Sequence, residues 1–337
     1  MINEKEHQNS KAKDMKLFFG KIVLYVILMF FVLEGATRLL HLNSEYPWFI
    51  INDHNIKTYA PNQTGYYTIG NRRMNFAQYH INKSGFNSYR DFNPTKDKEE
   101  VALLGDSFIE GLHQDYFNSI GEKVENALDN GTEVYEYGHS GYDLADVLYL
   151  MHTYEKKFEL IDHIIIYLKF DNDLLRDTYA PDKYWVDSQY FLFSRIQRKS
   201  KFISYLKDIG FFEPVREMKT KMLSYVFPTE EAIKSSGDSA SVENEKAKLY
   251  LENFKTLISK YPIDKTKTVF LLDKTKTDPL FLKYCDAQGY KYIDFSQEIE
   301  NSKRPTTLVF DRHWNNNGRS IIARKIVEYL RTVEKPK

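Results

Sequence analysis

From Glu99 onward, short apolar runs alternate with segments of helical spacing. That alternation dictates a parallel sheet, because parallel neighbours must be joined by a crossover, usually a helix. The expected strands are 101–104, 133–137, 163–168, 268–272 and 290–295; the expected helices are 119–128, 143–154, 242–261, 278–287 and 316–330. Ile164, Ile165 and Ile166, at the centre of the third run, suit a strand buried on both faces. The pattern therefore predicts a three-layer α/β/α unit around a central parallel sheet of five strands. A long interruption at about 178–240 breaks the alternation. It holds a candidate helix at 194–209 and a serine-rich patch at 235–241 that reads as a mobile surface loop, and its role, lid or decoration, is left open.

In such sheets ligands bind beyond the carboxyl ends of the strands, and four polar stretches fall there. Gly105-Asp106-Ser107-Phe108 follows the first strand and Gly138-His139-Ser140-Gly141-Tyr142 the second. Phe170-Asp171-Asn172-Asp173 follows the third, and Asp311-Arg312-His313-Trp314-Asn315 comes after the fifth. A serine hydroxyl is a weak nucleophile until a base takes its proton and donors hold the oxyanion. Ser107 is the candidate nucleophile and His313 the candidate base. Asp311, two residues earlier, is close enough to accept the ring Nδ1–H and leave Nε2 for Ser107. The candidate oxyanion donors are the backbone N–H groups of Ser107 and Gly141 and the side-chain amide of Asn172; a glycine at 141 lets the backbone approach a substrate closely. Each stretch also has a plainer reading. Asp106 and Ser107 would cap a βα turn, Asn172 would be a turn residue, and Asp311 with His313 would cap the last helix. The shared sheet edge favours catalysis.

These motifs resemble those of the SGNH hydrolases, also called GDSL-type esterases. Gly105-Asp106-Ser107-Phe108 is similar to the family's serine block, and Ser140-Gly141-Tyr142-Asp143 to its glycine block. Asn172 is similar to the asparagine of the third block, and Asp311-Arg312-His313 to the terminal Asp and His, so that the resemblance spans roughly residues 99–331. Asn82-Lys83-Ser84-Gly85-Phe86 resembles a lead-in of membrane-anchored members. The resemblance implies the flavodoxin-like SGNH fold and an acyl-serine intermediate. Phe170 stands where many members have glycine, and Phe310 lies three residues before His313 where an acid is common. The shorter Asp-x-His-Trp form is similar to that of alginate O-acetyltransferase-type members, which move acetyl groups onto exported polysaccharides. Three readings follow: an esterase acting on acyl, including acetyl, esters of envelope carbohydrate or related substrates; an O-acyltransferase; and a catalytically silent module that organises envelope partner proteins.

Other chemistries are disfavoured. The pattern Gly-x-Ser-x-Gly does not surround Ser107, which argues against the α/β-hydrolase fold. No His-Glu-x-x-His or paired-cysteine spacing occurs, so neither a metal nor another cofactor is expected, and the scattered histidines read as surface or packing residues. The 47 basic and 47 acidic side chains cancel, which argues against nucleic acid as a partner. A single cysteine, Cys285, excludes an internal disulfide.

The amino-terminal region reads as a membrane anchor. Residues 1–16 form a polar tail with Lys5, Lys11, Lys13 and Lys16, and 17–40 would make one transmembrane helix, with Lys21 near its end able to snorkel. Cleavage after Ala36 is disfavoured because Glu34 falls where a small residue is wanted, and 22–33 lacks the polar face of an ordinary buried helix. Four lysines before the helix and Arg38 after it predict a cytoplasmic amino terminus, with the catalytic domain outside the cytoplasm. Residues 41–98 read as a membrane-proximal segment of turns and short strands, with a strand at 75–82 and no chemistry of its own.

Overall fold

The structure is a computed structural model that describes residues 2–69, 74–214, 218, 239–309 and 311–333. It opens with one long helix, α1 (Ile2–Leu40). The 26 residues Met15–Leu40 are long and apolar enough to cross a membrane, and none of their most apolar stretch is buried against the rest of the chain. Two antiparallel pairs follow: β1 (Phe49–Ile51) with β2 (Lys57–Tyr59), and β3 (Gln63–Ile69) with β4 (Asn75–Ile81). Strand β4 matches the alternation in the sequence. Its partner β3 runs seven residues, longer than the short strands read there, because it pairs along the whole length of β4.

The core sheet contains β5 (Glu100–Gly105), β6 (Glu133–Gly138), β7 (His163–Tyr167), β8 (Thr268–Leu272) and β9 (Lys291–Asp294), all parallel. Their order is β6-β5-β7-β8-β9. The chain thus steps from β5 to β6 on one side and returns to β7 on the other. This reversal opens a crevice at the carboxyl ends of β5 and β7. The expected three-layer α/β/α architecture with five parallel strands is present.

Alternate residues of each strand feed two cores, as a period of two requires. Ala102, Leu104, Ile164, Ile166, Phe270 and Leu272 face α4 (Leu144–Thr153), joined there by two helices from later in the chain, Ser239–Lys260 and Pro279–Gln288. Val101, Leu103, Ile165, Val269 and Leu271 face the opposite layer, formed by α2 (Ser107–Glu110), α3 (Ile120–Leu128) and the last helix, Asn316–Val333. Local signals set the ends. Ser119 Oγ accepts the Glu122 N–H at the start of α3, and Asp143 with Asp146 forms a reciprocal capping box at the start of α4.

The interruption departs from the sequence reading in two places. After the short helices α5 (Glu155–Phe158) and α6 (Phe170–Asp173), it supplies α7 (Lys183–Ser188), α8 (Leu192–Lys199) and α9 (Lys201–Asp208). The single helix expected at 194–209 is thus two, divided at Ser200, whose backbone is extended and whose Oγ caps α9 by accepting the Ile203 N–H at 3.2 Å. The serine-rich patch is no loop at its far end either, since residues 239–241 begin helix α10 (Ser239–Lys260); residues 235–238 lie outside the described residues. The remaining elements are α11 (Pro279–Gln288), α12 (Ser296–Glu300) and α13 (Asn316–Val333).

Phe254 of α10 is fully buried, with its ring 4.9 Å from Phe281 and 5.4 Å from Tyr290. Phe254→Ala is expected to cost about 3–5 kcal/mol. A lowered midpoint of guanidinium unfolding, followed by circular dichroism, would measure it.

Candidate active site

Strand β5 ends at Gly105, and α2 begins two residues later. Asp106 caps it, with Oδ1 accepting the Phe108 N–H at 2.9 Å. Ser107 therefore takes the first helical position, where a backbone N–H has no acceptor inside the helix. The neighbouring β6 leaves no room for side chains here, since a Cβ on Gly138 would collide with the backbone of Glu110. Behind the turn, Lys169 pairs with the buried Asp106 carboxylate and sits 4.9 Å from the centre of the Phe108 ring.

His313 arrives on the loop between α12 and α13. Asn315, not Asp311 or His313, caps α13: its Oδ1 accepts the Gly318 N–H at 3.0 Å, while its Nδ2 donates to Pro305 O and Thr307 O. Trp314 anchors the loop by packing 4.8 Å from Phe108 and 5.0 Å from Tyr167. The structure thus brings Ser107, His313 and Asp311 together. His313 Nε2 lies 2.7 Å from Ser107 Oγ, and His313 Nδ1 meets Asp311 Oδ1 in a short hydrogen bond. Asp311 Oδ1 also accepts the His313 backbone N–H at 3.0 Å. Ser107 and His313 are half-buried, sheltered yet reachable.

A fourth residue joins them that sequence reasoning missed. His113 is buried, its Nε2 lies 3.1 Å from Asp311 Oδ2, and its ring stacks on that of His313 with centroids 3.8 Å apart. For His113 alone, this corrects the reading of the scattered histidines as surface or packing residues. Burial works to raise the Asp311 pKa, but hydrogen bonds from His113 and from the ring and backbone of His313 outweigh it and hold the carboxyl far below the usual range. An ionised carboxylate only accepts, so both imidazole nitrogens facing it must carry protons. Neutral His313 then presents a bare Nε2 to Ser107. Burial lowers the pKa of His113, against the pull of Asp311, and its Nδ1 faces no hydrogen-bond partner among the described residues. A proton there would be stranded, which favours the neutral ring. The ligand atoms of His113, Asp311 and His313 lie within 4.8 Å of one another, close enough for a small cation. Because the carboxylate is already occupied by three N–H donors, two from imidazoles and one from the backbone, the set is that of a hydrogen-bonded relay.

Gly141 has φ +76, a left-handed conformation that glycine adopts without strain. Its N–H donates to no group among the described residues. The turn that carries it is braced by Glu110, which accepts from Tyr59 OH at 2.6 Å, from Ser140 N at 2.8 Å and from Ser140 Oγ in a short bond. His139 is fully buried and stacks between Tyr59 and Tyr142 at 4.4 and 4.8 Å. Residues 41–98, read as a membrane-proximal segment free of chemistry, support the site through Tyr59, and through Tyr67, whose ring packs 4.8 Å from His113. Asn172 is exposed in α6, beyond the end of β7; its Nδ2 donates to Asp173 Oδ1 at 2.9 Å, leaving the second amide proton for a ligand. Burial, with help from Asp106, pushes Asp173 up to about 7.

No protein-family model matches the chain. No curated protein matches it either. Among solved structures the chain is similar to a lipase/acylhydrolase from Enterococcus faecalis, at 12% identity and a TM-score of 0.39, covering 71% of this chain and 98% of that one. A lipolytic protein of the G-D-S-L family from Veillonella parvula DSM 2008 aligns at 15% identity and TM-score 0.36, over 70% of this chain and all of that one. A carbohydrate acetylesterase family member from Sinorhizobium meliloti aligns at 12% identity and TM-score 0.35, over 69% and 98%. Likeness this distant carries no argument about activity, and the chemistry rests on the residues themselves.

Burial, with Lys57 nearby, lowers His139 to about 3. Between that value and the ordinary imidazole value of about 6.5, the unfolded chain binds a proton that the folded chain refuses. This contribution favours folding fully above about pH 6.5 and is lost as pH falls toward 3. His139→Phe keeps the stack and removes the titration, so the acid-unfolding midpoint of the variant should move to lower pH than that of the parent chain, measured by tyrosine fluorescence.

Proposed function

We propose that this chain is a membrane-anchored serine ester hydrolase of SGNH type. Its domain at about 99–331 would stand outside the cytoplasm, behind a cytoplasmic tail at 1–16 and a membrane span within 17–40. The observation that carries the chemistry is the unbroken hydrogen-bonded line from Ser107 Oγ through His313 to Asp311. As Ser107 Oγ bonds to the ester carbonyl carbon, its proton passes to His313 Nε2, and the carbonyl oxygen becomes an oxyanion. The Ser107 and Gly141 N–H groups and the Asn172 amide are the donors assigned to that oxygen. The imidazolium, held by Asp311, then gives its proton to the leaving alcohol oxygen as the C–O bond breaks. Water attacks the acyl-serine in the second half, His313 takes its proton, and the free acid leaves with Ser107 restored.

The substrate class we assign is acyl esters of envelope carbohydrate, acetyl esters first. An O-acyltransferase would share the first half and admit a sugar hydroxyl in place of water, and the Asp311-Arg312-His313-Trp314 sequence is what favours it. Incubation with an acyl donor and an oligosaccharide acceptor, followed by mass spectrometry, separates the two: free acid alone marks hydrolysis and acylated sugar marks transfer. In either case Ser107→Ala should abolish release of 4-nitrophenol from its acetate ester while the circular dichroism spectrum is kept. Unchanged turnover would refute the assignment of Ser107, whereas a parent chain with no turnover and no acylation would leave the silent envelope module as the reading.

His113 is assigned a positioning role, because it touches Asp311 and not Ser107. Loss of one charge-assisted hydrogen bond should lower kcat/KM by about tenfold or more. Asp311, relieved of that donor, would hold the imidazolium more strongly, so the acid limb of the rate profile of His113→Phe should move to higher pH. A scaffold defect would lower the rate without moving the limb.

A further inference from the structure

We infer that helices α7–α9 lie in the outer interface of the bilayer, with lipid covering the apolar face that α8 turns outward. The inference rests on the reading of α1 as a membrane span. Amphipathic helices on soluble domains bury the apolar stripe and expose the charges. Helix α8 departs from this: it turns large apolar side chains outward, with Arg195 and Lys199 exposed beside them as cations for lipid headgroups. Leu192, Phe193 and Ile196, on one face, are 73%, 58% and 44% exposed. On the other side, Arg198 is turned into the protein: its guanidinium donates to Tyr46 O at 2.9 Å and to Gln189 Oε1 at 3.1 Å, and lies 4.0 Å from the centre of the Trp48 ring. An isolated exposed leucine is ordinary, whereas a run of large apolar side chains on one face marks a covered surface.

The position of this face relative to α1 identifies the cover. Glu34, six residues before the end of α1, accepts from Ser200 Oγ at 2.8 Å, Lys201 N at 3.0 Å and Phe202 N at 2.9 Å. Its carboxylate thereby takes up the free N–H groups at the start of α9, as a helix N-terminus favours. Arg38 donates to Lys199 O at 2.7 Å, and the Phe202 ring packs edge-on to Phe30 at 5.8 Å. At about 1.5 Å per residue, Glu34 lies about 9 Å before Leu40. This is the depth of the headgroup layer at the end of an apolar span, where interfacial helices lie with apolar faces toward the acyl chains. Exposed Tyr184, Trp185 and Tyr190 flank the patch, and such rings belong in that layer.

The test places a nitroxide at Phe193→Cys in the full chain, reconstituted at one copy per nanodisc of phosphatidylcholine and phosphatidylglycerol, and measures its collisions with oxygen and with a water-soluble nickel chelate. Cys285 is buried and leaves the introduced thiol as the reactive one. Labels at Val26→Cys in α1 and at the exposed Lys283→Cys give the lipid and water references. The Phe193 label is expected to show an oxygen-to-nickel collision ratio several-fold above that of Lys283, at a depth shallower than Val26. If Val26 is deep and Phe193 matches Lys283, the interfacial assignment falls while the span stands, and the face is left for a protein partner. If Val26 itself lies in water, the span reading fails and this inference fails with it.

Discussion

One carboxylate organises the candidate catalytic edge of this molecule. Asp311 carries a full negative charge in a half-buried loop, and it is held there by N–H groups from two imidazoles and from the backbone. Because both oxygens are engaged, the carboxylate cannot rotate without losing a partner. Its orientation fixes the His313 tautomer, and the tautomer decides whether Nε2 can accept from Ser107. The stacked His113 ring adds a second constraint, covering one face of His313 with a buried aromatic surface.

Beneath this edge lies a network of polar groups that only burial makes rigid. Glu110 gathers Tyr59, Ser140 N and Ser140 Oγ, and burial pushes its own pKa up against the pull of those bonds. Its role is to hold the turn whose next residue is Gly141. Lys169 does comparable work on the other side, neutralising Asp106 as that residue caps the short helix carrying Ser107. Polar groups so enclosed have few alternative partners, and this keeps the backbone donors where they are.

How much of this was legible in the sequence depended on the range of the interactions involved. The five strands were readable to within a residue or two because each is a local apolar run, and the sheet edge followed from their alternation with helices. Ser107, Gly141 and Asn172 could be proposed because each follows such a run, and Asp311 with His313 because they sit just before the last helix. His113 could not, since its partner Asp311 is remote in the chain and nothing in the neighbouring sequence marks it. The break at Ser200 was equally hidden: apolar spacing continues across it, and the group that stabilises the break is Glu34, 166 residues away. The turn-rich stretch before Gly65 concealed β3 because its regularity comes from pairing with β4, not from its own composition.

The rings that link the first helix to His313 would, on the proposed function, set a working distance for the site. His41, just past α1, packs 4.5 Å from Tyr66; the adjacent Tyr67 packs against His113, and His113 against His313. A catalytic centre on a flexible stalk would sweep a broad volume and meet polymers wherever they drift. On the proposed reading, a site held to its anchor by such contacts would scan only a thin slab beside the membrane, so an ester carried on a long glycan would be reached during passage through that slab and spared once the chain has moved beyond it.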